Sequence, residues 1–168
     1  MAIETERRFL IKMPDADLLS ALGGDEIEQI YLQSEDDITA RIRSRRHNGQ
    51  ATYTHTKKQH ISKISSIEDE TVIGENEFRA LSEMREEGTV PIRKTRYVLP
   101  YRGYDFEIDV YSFWRNAAVM EVELPEEGAK FELPPGVTVI REISLDRSFS
   151  NHSLSRRIIP EDELLSEE

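Results

Sequence analysis

Cysteine is absent from the 168 residues, which excludes disulfide frameworks, thiolate zinc centres and cysteine nucleophiles. Any metal must therefore be held by oxygen or imidazole. No apolar run approaches the roughly 18 residues that a membrane span needs. The opening Met1-Ala2-Ile3-Glu4-Thr5-Glu6 lacks the basic and apolar stretches of a signal peptide. A cytoplasmic protein with no membrane partner is expected. There is no glycine-rich Walker loop, no Gly-x-Ser-x-Gly elbow and no Rossmann fingerprint, so the common phosphate and nucleophile machinery is missing. Positive charge is also in deficit. The formal net charge of −11 argues against a nucleic-acid partner, whose phosphate backbone is gripped through broad basic surface.

What basic charge there is comes concentrated, in Arg41-Ile42-Arg43-Ser44-Arg45-Arg46 and in Arg93-Lys94-Thr95-Arg96. A polyanion can still be bound locally within an acidic protein. The hydrophobic content of 38% suffices for one core, and no composition break marks a second. A single domain over residues 1–159 is expected, followed by an acidic tail, 160–168, of poor order.

Alternation predicts strands at 3–11, 29–33, 38–46, 51–58, 67–73, 90–99, 104–111 and 117–124, with a further extended stretch at 137–143. His47-Asn48-Gly49 reads as a hairpin turn, because Asn-Gly tolerates positive φ. Residues 59–66 read as a loop. One helix is expected between Pro14 and Gly23-Gly24, on the stripe Leu18, Leu19 and Leu22. A second, capped by Asn76, carries Phe78, Leu81 and Met84 towards Gly88. The fold class is α+β, and closing the antiparallel strands into a barrel removes their edges.

The faces of these strands are unusual. Glu4-Thr5-Glu6, Arg41-Ile42-Arg43, Glu68-Asp69-Glu70, Lys94-Thr95-Arg96, Glu107-Ile108-Asp109 and Glu121-Val122-Glu123 each place two charges at i and i+2, on one face. One such pair is ordinarily a solvated sheet face. Six of them, several with apolar partners between, point instead to charged faces turned into a common lumen. A lumen of that kind is costly unless it holds metal ions and a polyanion. Carboxylates suit hard cations such as Mg²⁺ or Mn²⁺, while guanidinium and ammonium groups suit phosphate oxygens.

Glu4-x-Glu6-x-Arg8 followed by Phe9-Leu10-Ile11 resembles the N-terminal signature of the CYTH, or triphosphate tunnel metalloenzyme, superfamily. The similarity continues in order through Arg41-x-Arg43, Thr56-Lys57-Lys58, Glu68-x-Glu70, Lys94-Thr95-Arg96-Tyr97, Glu107-Ile108-Asp109 and Glu121-Val122-Glu123. The resemblance implies a closed eight-stranded antiparallel β-barrel, or tunnel, with a few flanking helices. It implies metal-dependent hydrolysis of a triphosphate, inorganic triphosphate first, with cyclisation of ATP or binding without turnover as the alternatives. Glu4, Glu6, Glu121 and Glu123 would hold Mg²⁺ or Mn²⁺, with Glu68, Glu70 and Asp109 as further ligands or water-positioning groups. Arg8, Arg41, Arg43, Lys94 and Arg96 would bind the triphosphate, Arg8 and Lys94 also serving the chemical step. Of the strand lysines, Thr-x-Lys spacing favours Lys58 and parity counted back from Glu68 favours Lys57, so both stand.

Three cationic positions depart from the family pattern. Arg8 replaces the signature lysine, Ser66 stands where relatives often have arginine, and Ser148-Phe149 replaces Arg-Tyr, with Arg147 displaced by one. His47, His55, His60 and His152 show no paired ligand spacing and receive no metal. Trp114 with Phe113 and Tyr111 is either a surface for a base or, more commonly for such a cluster, packing. Whether apolar outer strands pair two copies into a homodimer stays open.

Overall fold

The computed structural model describes residues 2–164. Nine strands form one antiparallel sheet: β1 (Ala2–Lys12), β2 (Gly24–Leu32), β3 (Ile38–His47), β4 (Gln50–His60), β5 (Ser65–Ile73), β6 (Ile92–Tyr101), β7 (Tyr104–Tyr111), β8 (Ala117–Leu124) and β9 (Val139–Glu142). Their order is β5-β4-β3-β2-β6-β7-β8-β1-β9, and a pairing of β1 with β5 closes the first eight into a barrel. The closure spans four residue pairs, Ala2 to Thr5 against Glu68 to Ser65, and a buried 2.6 Å bond joins the Thr5 and Ser65 hydroxyls. Beyond it the same edge of β1 is taken up by β9, opposite Phe9 to Ile11. Both edges of β1 are thereby occupied.

The hairpin expected at His47-Asn48-Gly49 forms, with positive φ at Asn48 (48°) and Gly49 (80°) as a tight two-residue turn requires. The predicted loop 59–66 is shorter than expected. β4 runs on to His60 and β5 starts at Ser65, since the Ser62 hydroxyl and the Ser65 carbonyl satisfy the turn's amides. Helix α1 (Ala16–Leu22) ends at Gly23 as expected. Helix α2 (Glu75–Ser82) starts one residue before the expected cap, behind an extended Gly74, and carries Glu75 and Glu77 where the helix dipole favours them. It stops well short of Gly88, because Arg85 bridges to Leu32 and the Glu86 amide bonds to the Tyr31 carbonyl, drawing the chain onto the end of β2.

The apolar outer faces are covered. Phe78 of α2 packs with Ile30, Leu32, Ala40 and Ile42 over β2 and β3. The segment after β8 lays Ala129, Phe131 and Val137 across Phe9, Phe106, Met120 and Val122. A third cluster lies inside one end of the barrel: Leu10, Tyr31, Ile92, Tyr111, Trp114, Val119 and Phe149 meet Leu154 of α3 (Asn151–Arg156) and Leu164 of α4 (Glu161–Leu164). The region expected to be a poorly ordered tail therefore begins as a helix. Leu164 is buried in that plug and the Glu161 carboxylate accepts the backbone amides of Arg115 and Asn116. Residues 165–168 lie outside the described residues. The Trp114 indole donates to the Ile159 carbonyl, which makes the aromatic cluster packing and not a base-recognition surface. No helix is long and apolar enough to cross a membrane among the described residues.

Candidate functional site

Strand alternation turns every predicted i, i+2 charge pair to the inward face of its strand, with Glu70 and Glu123 at exposed positions, and the strand order sorts those charges. The neighbouring strands β5, β1, β8 and β7 present carboxylates: Glu68 and Glu70, Glu4 and Glu6, Glu121 and Glu123, Glu107 and Asp109. The other four, β6, β2, β3 and β4, present Lys94 and Arg96, Gln29, Arg41 and Arg43, and Lys58. Arg8 on β1 and Asp25 on β2 are the exceptions.

Where the two arcs meet, charges cancel. At the β6–β7 seam Asp109 accepts Lys94 Nζ at 2.7 Å and both Arg96 Nε and Nη2, at 2.8 and 2.9 Å. Arg96 also reaches Glu107 at 3.1 Å and Glu121 at 3.5 Å. Burial alone would raise the Asp109 carboxyl, but Lys94 and Arg96 hold it far below the usual range. Burial pushes the Lys94 ammonium down to about 7, Asp109 opposing that shift while Arg96 and Arg43 add to it. At the β4–β5 seam Lys58 lies 3.5 Å from Glu68, directly across the ladder. Lys57 points the other way and is exposed, opposite Asp69. Parity counted through the turn failed because β4 continues to His60.

Away from the seams the charges stay uncompensated. Arg41 and Arg43, in the middle of the cationic arc, make no ion pair among the described residues, and the Arg41 Nε finds no hydrogen-bond acceptor. Burial, with Arg41 and Arg96 nearby, pushes the Arg43 guanidinium down to about 9. Arg8 donates to the Phe149 carbonyl at 2.8 Å and stands 3.9 Å from Glu121, yet its Nη2 is unpartnered. On the acidic arc, Glu4 faces Glu68 and Glu6 faces Glu121. Burial and the like charge opposite raise Glu4 and Glu6 to about 7, whereas Arg8 and Arg96 overcome burial to hold Glu121 down at about 2.

Part of this set lines a cavity of about 700 Å³, reached by Glu6, Arg8, Arg41, Thr56 and Lys58 from the barrel and by Arg147, Asn151 and His152 from the C-terminal segment. A scan against protein-family models matches the CYTH domain over residues 2–149. The chain belongs to the CYTH family. Among solved structures it is similar to the inorganic triphosphatase NE1496, at 30% identity over 95% of this chain and 98% of that one, with a TM-score of 0.61. A conserved hypothetical protein from Pyrococcus furiosus (21% identity, 74% and 80% covered, TM-score 0.55) and PH1012 from Pyrococcus horikoshii (15%, 74% and 80%, 0.53) share its fold. A search of curated proteins gives no match.

The CYTH barrel brings most of the predicted site residues together, though not in equal roles. Arg8, Arg41, Arg43, Lys58, Glu4, Glu6, Glu68 and Glu121 have lumen-facing charge that is free or only loosely paired. Asp109, expected as a metal ligand, has both oxygens taken by Lys94 and Arg96. Glu70 and Glu123 are exposed, Glu70 accepting from Thr56 at 3.1 Å. The displaced Arg147 lines the cavity, and Ser66 faces Glu4 across the closure. Sequence reasoning passed over Gln29 and Tyr31, neutral groups between the two cationic strands, because a search for paired charges does not see them. The signal was their i, i+2 spacing on β2.

No three Asp, Glu or His side chains gather into a ready ion cage among the described residues. The acidic arc instead offers carboxylate pairs, Glu4 with Glu68 and Glu6 with Glu121, in which burial and the like charge opposite disfavour the charged forms of Glu4 and Glu6. That donor set fits a hard divalent cation such as Mg²⁺ or Mn²⁺, which takes one or two carboxylates and fills its remaining positions with water and phosphate oxygens.

Proposed function

We propose that the protein hydrolyses a triphosphate, inorganic triphosphate foremost, with Mg²⁺ or Mn²⁺ bound on the acidic arc of its tunnel. The observation that carries this reading is the uncompensated pair Arg41 and Arg43 facing, across one lumen, the self-repelling carboxylates of β1. A polyanion bridged to a cation satisfies both at once. The identity to an inorganic triphosphatase along nearly the whole chain supports the same substrate class.

In this reading Arg8, Arg41 and Arg43 bind phosphate oxygens, and Lys58 contributes from the seam. Glu4 and Glu6, with Glu68 and Glu121, would hold the metal, which would supply positive charge to polarise a phosphoryl group. Asp109 keeps Lys94 and Arg96 fixed beside the developing negative charge, and keeps Arg96 charged. The apolar plug under Tyr111, Trp114 and Leu154 closes one end of the lumen to water. A cytoplasmic protein acting on a small molecule, without nucleic acid, goes with these features.

Phosphate release from inorganic triphosphate, ATP and thiamine triphosphate, with Mg²⁺, Mn²⁺ or a chelator, tests the proposal, with cyclic AMP monitored in the ATP reaction. Metal-dependent turnover of inorganic triphosphate is the expected result. Cyclic AMP formation would make the protein a cyclase, and thermal stabilisation by triphosphate without turnover would make it a binding protein.

A further inference from the structure

Gln29 is fully buried, and its side chain lies inside the barrel among charges. It pairs with Arg43 across the β2–β3 ladder, and its Oε1 accepts from Arg43 Nε at 3.0 Å and Nη2 at 2.7 Å. Its Nε2 donates to the Tyr31 hydroxyl at 3.1 Å. The two guanidinium donors admit only the oxygen, so the amide orientation is fixed from both sides. Tyr31 is itself held, its ring stacked on His152 at 4.8 Å and His152 bonded to Glu86 at 3.0 Å. Tyr31 also pairs with Arg41 across the same ladder.

Among the described residues, the buried lumen cations Lys94 and Arg96 are fixed by the Asp109 carboxylate, and the half-buried Lys58 lies 3.5 Å from Glu68. Arg43 is fixed in the same two-pronged way by a neutral group. A carboxylate at that place would hold the guanidinium more strongly and would cancel its charge. An amide supplies the geometry and leaves the charge.

We infer that Gln29 is a positioning residue for triphosphate binding, holding Arg43 in a two-pronged grip with a neutral acceptor so that its full charge stays available to the anion. The inference rests on the triphosphate reading above. It makes a neutral residue, on a strand with no predicted site residue, a determinant of how strongly the tunnel attracts polyanions. It also predicts that stability and binding respond in opposite directions to one nearly isosteric change.

The test compares the full-length protein with Q29E and Q29M by metal-free melting temperature, calorimetric binding of inorganic triphosphate with Mg²⁺, and steady-state kinetics. For Q29E the melting temperature holds or rises, since the grip on Arg43 becomes charge-assisted. Its Kd and KM for triphosphate rise at least about tenfold, while kcat changes by less than about threefold. Q29M melts lower and loses less affinity than Q29E, because Arg43 is then unheld but still charged. Q29E binding within about twofold of the native chain would overturn the inference alone, as would a Q29E that loses stability and binding together. A native chain that binds no triphosphate would overturn the functional reading as well.

Discussion

Lys94 Nζ lies 2.7 Å from Asp109 Oδ2, and neither side chain is reached by solvent. With Arg96 bonded to the same carboxylate, one anion holds two cations in the driest part of the barrel. Removing the anion leaves Lys94 without a counter-ion and Arg96 with only Glu107 and Glu121. D109N is expected to cost about 3–5 kcal/mol in urea unfolding. Because the native pKa of Asp109 is depressed, its contribution is present above the unfolded carboxylate range and is lost only as pH falls through the native value. Lys94, pushed down to about 7 even beside Asp109, is pushed lower without it, so the D109N deficit should grow as pH falls from 8 to 5. A deficit below about 1 kcal/mol would mean that the site tolerates unpaired cations and that Asp109 is not what stabilises them.

Arg41 and Arg43 have no carboxylate partner, so truncating them removes positive charge that an anion would use. R41A and R43A are expected to raise KM for inorganic triphosphate about 10- to 100-fold, the range for a lost charge-assisted hydrogen bond. The metal-free melting temperature should hold steady or rise in R41A as lumen repulsion falls, and should drop in R43A, which leaves the buried Gln29 amide oxygen without its donor. Unchanged KM in both variants would remove the phosphate site from β3.

Glu4 and Glu6 carry a second consequence of uncompensated charge. Their native pKa values, raised to about 7, mean that the folded chain binds more protons than the unfolded one between about pH 4.5 and 7. Their contribution to stability is present below that window and is lost as pH rises through it. The metal-free melting temperature is expected to fall from pH 5.5 to 8, and Mg²⁺ or Mn²⁺ should restore it at the upper end. E4Q and E6Q should flatten the slope, raise metal-free stability at pH 8 and abolish metal-dependent turnover. A slope that survives in the double variant would assign the pH dependence to other groups.

The barrel was legible in the sequence because it rests on a period of two. Each Glu-x-Glu, Arg-x-Arg and Lys-x-Arg triplet fixes which face of its strand is polar, and six such triplets fix a polar lumen. Element boundaries were less legible where tertiary bonds override local signals. Met84 continues the helical spacing of Phe78 and Leu81, yet Arg85 and Glu86 are drawn onto the end of β2 by its free backbone groups. Leu164 sits in an acidic, tail-like sequence and is buried because the barrel end offers an apolar socket that no local pattern announces. Site composition was readable, but site pairing was not. That Asp109 is occupied by Lys94 and Arg96, while Arg43 is held by Gln29, follows from which strands are neighbours in the closed sheet.

The ambiguity between Lys57 and Lys58 is a matter of one residue of register, and it gives a direct functional contrast. The ladder pairs Lys58 with Glu68 and Lys57 with Asp69, so adjacent lysines of identical chemistry lie on opposite faces of one strand. Lys58 is largely shielded, close to Glu68 and Thr56 on the cavity wall, whereas Lys57 is in solvent. K58A is expected to raise KM for triphosphate about 3- to 10-fold, less than R41A because part of the Lys58 charge is already spent on Glu68, while K57A should stay within about twofold of the native chain. Steady-state kinetics on the two single variants decide the matter. Equal effects would mean that both act through long-range attraction alone, and a larger effect for K57A would require β4 to be shifted by one residue against β5, which would also turn Lys58 and Thr56 out of the lumen.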